Sequence, residues 1–411
     1  MKTHYPWAAF LLAATLTTAC ACSDDNDSQQ KEETETVPGT PTAEFAKNDG
    51  SKALTGTPQQ CVQSLLQRVG SKVADGIGSI QIKDDERAEI NQFTQNLVKG
   101  CKTEAEKYQK IFDYVKKLEY KHEYEGGNVI SNDPYPVFKT HTAICQGFAN
   151  LQHVMLESQG IPTLNVNGQL VGVGGHAWNY VYYDGKWWVS DPTNADYIKD
   201  YPGTFPMDQP NGYKHLEPSS IDAPIFANDE IVVNFKDYEL NIDEVKYTGT
   251  QFIVPFGVEG FRITSMSPTK QVPEQVKEIY LSQNIRTLGE YYKGLEKNAP
   301  AVTACYVDPH NAHLAGEGGA IYRRNGREYQ MYYLPAQLQK LTLKPMKIVD
   351  KNVVFDHQGI QEVTIATGTQ EISDYAFEKC PNLKVAYIPA GVKVAKKAFY
   401  QVHPDFKIVK K

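Results

Sequence analysis

The 411-residue chain has no excess of positive charge: 42 lysines and arginines stand against 49 acidic residues, a net charge of −7. Nucleic acids are held through a basic footprint, so this balance excludes DNA or RNA as an expected partner. No Lys/Arg cluster stands out to suggest an anionic membrane surface. Long apolar runs are also missing, and the one candidate, Trp7 to Leu16, is too short to span a bilayer stably. Cysteine is sparse. Of seven cysteines, the five beyond residue 22 are an odd number, so disulfides cannot pair them all. What remains is 41% hydrophobic and 22% charged, enough apolar material for real cores, with disorder expected only at the ends. The length exceeds one ordinary core of about 100–200 residues, which predicts two domains plus extras. The 25 tyrosines suit strands and sugar- or peptide-binding surfaces.

Lys2 and His4 precede the short apolar run, and small residues follow it up to Cys20 and Cys22. That order reads as a signal peptide. A cysteine directly after small residues resembles a bacterial lipoprotein cleavage site, which implies that the thiol is acylated and becomes the new N-terminus. Cys22 is the first choice, because Ala19 and Ala21 precede it and Ser23-Asp24-Asp25-Asn26-Asp27 follows; Cys20 is the alternative. Residues 1–22 are then the signal peptide. Residues 23–42, polar, acidic and proline-containing, make a flexible tether. The expected location is the outer membrane or cell surface as a lipoprotein, with the periplasmic face as the alternative, and the membrane touched only through the lipid.

Export places the other thiols where oxidation is favoured, so an unpaired one needs a reason. Cys61 and Cys101 flank a helical stretch, and both a bridge and two buried thiols stay open. Cys145 is left over in unusual surroundings. From Thr103 to Tyr120 the apolar positions Ala105, Tyr108, Ile111, Phe112, Val115 and Leu118 recur at helical spacing. Residues 123–142, with Gly126-Gly127, Pro134 and Pro136, read as loop. A second helix is predicted to begin at Cys145, with Phe148, Leu151, Val154 and Met155 inward and Gly160 past its end. The unpaired N–H groups and positive dipole end of a helix start lower a thiol's pKa and supply donors for an oxyanion. Gly147 close by lets another backbone approach.

The second half of the constellation is a hairpin. Residues 176–183 and 186–191, aromatic and β-branched, flank Asp184-Gly185, a strong two-residue hairpin signal. With that turn, Tyr183 faces Lys186 and the pairs continue as 182/187, 180/189 and 178/191. His176 and Asp191 then share a face as diagonal neighbours, about 7–8 Å apart at Cα, a gap a carboxylate can cross to reach an imidazole. Asp191 would fix the tautomer of His176, and His176 would take the Cys145 proton.

Ala143-Ile144-Cys145-Gln146-Gly147-Phe148-Ala149, Gly175-His176-Ala177-Trp178-Asn179 and Trp187 to Asp191-Pro192-Thr193 resemble the core of the transglutaminase-like superfamily. The resemblance covers roughly residues 100–195. It implies a papain-like α+β fold with Cys145 as nucleophile, His176 as base and Asp191 as orienter, and needs no cofactor or metal. Tyr135, ten residues before Cys145, stands where bacterial members often carry a tyrosine, and Gln146 and Trp178 are further supporting candidates.

The C-terminal half differs. Val363-Thr364-Ile365, Ile372 and Ala376-Phe377 recur 22 residues on as Val385-Ala386-Tyr387, Val394 and Ala398-Phe399, the mark of a solenoid. Residues 374–383 resemble the bacterial surface-antigen class of leucine-rich repeat, Gly319 to Tyr322 with Tyr332 to Pro335 resembles the hairpin inserted between such repeats, and Ile279-Tyr280-Leu281 with Leu288 an earlier unit. The expected organisation is a transglutaminase-like domain over 43–222, a β-rich connector over 223–265 and repeats over 266–411. The expected function is a cysteine peptidase or amidase that passes through a thioester and acts on a protein or peptide, cell-wall peptide included, while the repeats contact a surface protein. Protein cross-linking is one alternative. An idle adhesion protein acting through its repeats is the other.

Overall fold

A computed structural model describes residues 40–73, 80–121, 124–125, 128–195, 198, 201–208, 215–289, 295–326 and 328–411. The signal peptide, the lipid-site cysteines Cys20 and Cys22, nearly all of the tether and Gly126-Gly127 lie outside them.

Helices form at both places where the apolar spacing predicts them, and elsewhere as well. The first, α1 (Pro58–Val69), has Thr57 as N-cap and buries Cys61, Val62, Leu65, Leu66 and Val69. Helix α2 (Asp84–Leu97) opens on Asp84, Asp85 and Glu86, negative charge where the helix dipole is positive. In α3 (Glu104–Val115) the Thr103 hydroxyl accepts from the Glu106 N–H, and Tyr108, Ile111, Phe112 and Val115 turn inward. The expected loop over 123–142 contains a short helix instead, α4 (Pro134–Thr140). Its prolines lie in the first turn, where a missing N–H leaves no hydrogen bond unmade, so they start a helix instead of breaking one. Helix α5 (Cys145–Glu157) begins at the expected residue; it ends three residues before Gly160, whose φ of 72° turns the chain toward the next strand.

Five antiparallel strands follow in spatial order 204–206, 186–190, 174–183, 163–170 and 216–221. The hairpin has the register read from Asp184-Gly185, with Tyr183 opposite Lys186, Tyr182 opposite Trp187 and Tyr180 opposite Val189. On one side of the sheet Val181 and Tyr183 join the helical core of Ile90, Tyr108, Phe148 and Leu151. On the other, Trp178, Tyr180 and Val189 join a second core that includes Val62 of α1 and continues through Phe235 and Ile279 to Ile321. In the strand-rich stretch that follows, strands at 226–227, 231–236, 239–245 and 265–266 form a four-stranded sheet inside that continuous core.

Parallel stacking begins at Asn241–Ile242, which pairs with Ser265–Met266; Gln251–Ile253 then pairs with Glu278–Leu281 and the latter with Ala304–Val307. The inserted hairpin is present, with Ile321 opposite Tyr333. Beyond it, strands at 340–342, 362–364, 385–388 and 407–410 form one parallel sheet, and two three-stranded sheets close each turn. The repeat is not a uniform 22 residues. Ile372 pairs with Val394 and Phe377 with Phe399, but Val363 pairs with Ala386, a step of 23. The corner at Gly391 is one residue shorter than the corner at Gly368, which absorbs the difference. Residues 379–411 carry eight lysines against Asp405 alone, and all eight are exposed. The whole-chain balance conceals this local excess.

Cys61 and Cys101 are free thiols, Cys61 within the second core and Cys101 at the edge of the helical one. Among the described residues no helix is long and apolar enough to cross a membrane.

His357 is built into the start of the terminal turns. Its Nε2 lies 2.9 Å from the Pro335 carbonyl, while Nδ1 accepts from the Gly359 and Ile360 N–H groups, each at 3.1 Å. Both nitrogens are thus used by the neutral ring, and burial pulls its pKa down despite the Pro335 carbonyl. Because the folded ring takes up protons less readily than the unfolded one, its contribution to stability is complete above the ordinary value of 6.5 and is lost as pH falls below it. The denaturant midpoint of the wild type should therefore fall more steeply between pH 7 and 5 than that of His357→Gln, measured by intrinsic fluorescence.

Candidate active site

Cys145 is the first residue of α5, and no side chain caps the helix there, because Ile144 is the N-cap. The Gly147 N–H turns back to the Ile144 carbonyl at 2.9 Å, while that of Gln146 faces the Cys145 thiol, so the helix start aims a donor at the sulfur. Gly147 permits this entry: a Cβ at that position would come within 2.7 Å of the Ala143 Cβ and 3.0 Å of Val137 Cγ2, so only glycine lets α4 and the preceding strand pack against the helix start. Across from Cys145 the strand Gly174–Tyr183 presents His176. The imidazole Nε2 lies 2.9 Å from Asp191 Oδ2, and the two side chains are 4% and 0% exposed. With Nε2 engaged, Nδ1 is the nitrogen left for the hydrogen bond between His176 and Cys145.

The electrostatics follow from this chain of contacts. Burial pushes the Cys145 thiol up, but the hydrogen bond and charge of His176, with the N–H groups of Ala177 and Gln146, outweigh it and hold the thiol below its ordinary value. Burial pulls the imidazole down, yet the hydrogen bonds and charges of Asp191 and Cys145 push it up to about 9. Each shift favours a thiolate beside an imidazolium.

Residues 91–192 match the sequence profile of the transglutaminase-like superfamily. The chain carries a transglutaminase-like domain. Among solved structures, it is similar to a protein of Cytophaga hutchinsonii described as a candidate cysteine protease, at 18% identity over 26% of this chain and 37% of that one, with a TM-score of 0.24. A TGase is similar at 22% identity over 30% and 35%, TM-score 0.24. A leucine-rich cell surface protein of Faecalibacterium prausnitzii is similar at 12% identity over 39% and 51%, TM-score 0.21. The chain thus spans little more than a third of the length of the first two. No curated protein matches the chain. The architecture is α+β, a transglutaminase-like core followed by a β-solenoid.

The surroundings of the transglutaminase-like site sort the remaining candidates. Trp178 is fully buried and stacks beside the imidazole, ring centroids 5.8 Å apart at 23°, so it backs His176. Gln146 donates to Asn150 Oδ1 at 2.8 Å, and Asn165 donates to the same oxygen at 2.6 Å. It belongs to a polar chain that ties the helix start to the sheet. Tyr135 is not brought to Cys145 by its hydroxyl, which donates to Glu89 Oε2 at 2.7 Å beside the Glu89–Lys139 ion pair. Sequence reasoning missed two groups. Asn194 places its amide nitrogen 3.1 Å from His176 Nε2 and 3.3 Å from Asp191 Oδ2, and the Tyr201 hydroxyl lies 3.1 Å from the same oxygen. Asn194 directly follows Asp191-Pro192-Thr193 in the sequence. Tyr201 had no local signal. Beneath the site, Gln152 bridges Asn179 at 2.8 Å and Ser190 at 2.8 Å, and Tyr108 donates to Ser190 at 2.8 Å, which ties α3, α5 and the hairpin together through buried hydrogen bonds.

Proposed function

We propose that the protein is an exported cysteine hydrolase or acyl transferase, with Cys145 as nucleophile, His176 as general base and acid, and Asp191 as the group that orients the imidazole. The observation that carries this reading is the buried hydrogen-bonded series from Asp191 to His176 to Cys145 at a helix start. In the first half-reaction the thiolate sulfur attacks an amide carbonyl, and the oxyanion is met by N–H groups of the α5 first turn. His176 gives its proton to the leaving nitrogen as the C–N bond breaks, which leaves a thioester on Cys145 and a free amine. In the second, His176 takes a proton from water, the oxygen attacks the thioester, and the thiolate leaves with the imidazolium restored beside it. Hydrolysis is preferred to amine transfer, since water is abundant and transfer needs a site that excludes it.

A panel of peptides and peptidoglycan fragments, followed by mass spectrometry with and without a labelled primary amine, tests the reading. Hydrolysis yields carboxylate products whether or not the amine is present; amine-adduct products would favour cross-linking; no product from any substrate, with Cys145 unreactive, would favour a binding protein. The location is proposed on the same terms: lipid attachment at Cys22, or Cys20, predicts that a palmitate analogue labels the wild type and not the double alanine variant. We take the repeats to contact a surface partner, with no role in the chemistry.

A further inference from the structure

Asp191 is fully buried, and a carboxylate there persists as an anion only if donors satisfy it. Its Oδ1 accepts from the Thr193 N–H at 3.2 Å. Oδ2 receives His176 at 2.9 Å, Tyr201 at 3.1 Å and Asn194 at 3.3 Å. Tyr201 reaches this oxygen because the chain folds back on itself: the Asp191 N–H donates to the Gly203 carbonyl at 2.6 Å. Gly203 has φ +71°, and a Cβ there would lie 2.7 Å from the Asp191 carbonyl oxygen and 2.5 Å from the Ala195 Cβ. The close return therefore depends on glycine. Tyr201 itself is 4% exposed, its ring 6.0 Å from that of Phe205. A carboxylate only accepts, so the phenol donates. Burial, then the charge of Asp191, raises the phenol's pKa, and it stays a donor throughout the neutral range.

Resting on the catalytic reading of Cys145, His176 and Asp191, we propose that Tyr201 is a positioning residue whose hydroxyl holds Asp191 Oδ2 where it orients His176, and through it sets how firmly the imidazole keeps its proton. Removing the hydroxyl leaves Oδ2 with one fixed donor fewer in a buried site, so the carboxylate loses part of its orientation toward Nε2. The imidazolium is then less well supported. The titratable groups facing this cluster are Cys145 from α5, His176 and Tyr180 from the Gly174–Tyr183 strand, Tyr108 from α3, and His215, whose ring centroid is 5.8 Å from that of Tyr201. The ordinary alternative is a core tyrosine that merely satisfies itself on a nearby carboxylate. The two differ in whether the effect passes through Asp191.

The test is a double-mutant cycle on the pH dependence of Cys145 alkylation by iodoacetamide, using the full-length wild type, Tyr201→Phe, Asp191→Asn and the double variant. Phenylalanine keeps the ring, and near-ultraviolet circular dichroism checks the packing. The upper inflection should move down by about half a pH unit in Tyr201→Phe, further in the same direction in Asp191→Asn, and no further when Tyr201→Phe is added to Asp191→Asn. Fluorotyrosine at position 201, which retains the ring and its hydroxyl and strengthens the phenol as a donor, should leave the inflection at or above the wild-type value. An unmoved inflection in Tyr201→Phe, or a shift that persists in the Asp191→Asn background, overturns the proposal. Failure of the catalytic reading looks different: the wild-type thiol then alkylates no faster than an ordinary thiol and shows no upper inflection.

Discussion

Cys145→Ala and His176→Ala should each lower thiol-dependent turnover by roughly 10³-fold or more, while Asp191→Asn leaves a larger residue of activity. The members of a nucleophile–base pair act as a unit, so either loss removes the same step. Without Cys145 there is no sulfur to carry the acyl group. Without His176 the thiol loses the hydrogen bond and charge that hold it below its ordinary value, and the leaving nitrogen loses its acid. Asp191 touches neither the carbonyl nor the leaving group, and an asparagine keeps hydrogen-bonding capacity at the same position, so its replacement is the mildest. Each change trims a polar group without adding bulk, and far-ultraviolet circular dichroism should be unaltered. Turnover is followed on whichever peptide the wild type cleaves. An Asp191→Asn protein as dead as Cys145→Ala would contradict this division of roles.

Trp178→Ala is expected to cost about 3–5 kcal/mol of stability, the range for deleting a large buried aromatic side chain. The indole is fully buried between the imidazole of His176 and the ring of Tyr180, at centroid distances of 5.8 and 6.4 Å. Its far end meets the strand beside it at Gly168, where a Cβ would come within 2.7 Å of the indole. Neighbours that tight close poorly over a cavity. The same deletion removes the flat surface behind His176, so Cys145 alkylation should slow as well. Urea unfolding at neutral pH measures the first effect, and a loss below about 1 kcal/mol would show that the site collapses around the gap.

The parts of the site legible in the sequence are those fixed by local geometry. Asp184-Gly185 sets a two-residue turn, the turn sets the register, and the register puts His176 and Asp191 on one face, as found at 2.9 Å between Nε2 and Oδ2. The start of α5 at Cys145 was equally local, a loop giving way to apolar residues at helical spacing. Two kinds of feature escaped. The prolines of α4 were read as breakers because proline has two meanings, and which applies depends on whether it falls in the first turn. Tyr201 reaches Asp191 only because the loop after the hairpin returns at Gly203, a tertiary event that no periodicity records. In the solenoid the repeat was visible, but a one-residue difference between corners shifted the pairing of Val363 to Ala386. A whole-chain charge of −7 hid the run of lysines on the last turns, since summing charge over 411 residues discards where it sits.

The central claim, that Cys145 is activated by His176, is tested most directly by the rate of Cys145 alkylation by iodoacetamide as a function of pH in the wild type and in His176→Ala. The thiol is held below its ordinary value and the imidazole is pushed up to about 9. The wild type should therefore alkylate rapidly at pH 7, where the ion pair dominates, and show a second inflection near 9 as the imidazolium gives up its proton. His176→Ala should lose that inflection, and at pH 7 it should react several-fold more slowly, since the hydrogen bond and charge that hold the thiol below its ordinary value are gone and less of it is thiolate. Equal rates at pH 7 in the two proteins would mean that the thiol and the imidazole are not coupled, and the account of the site would be wrong.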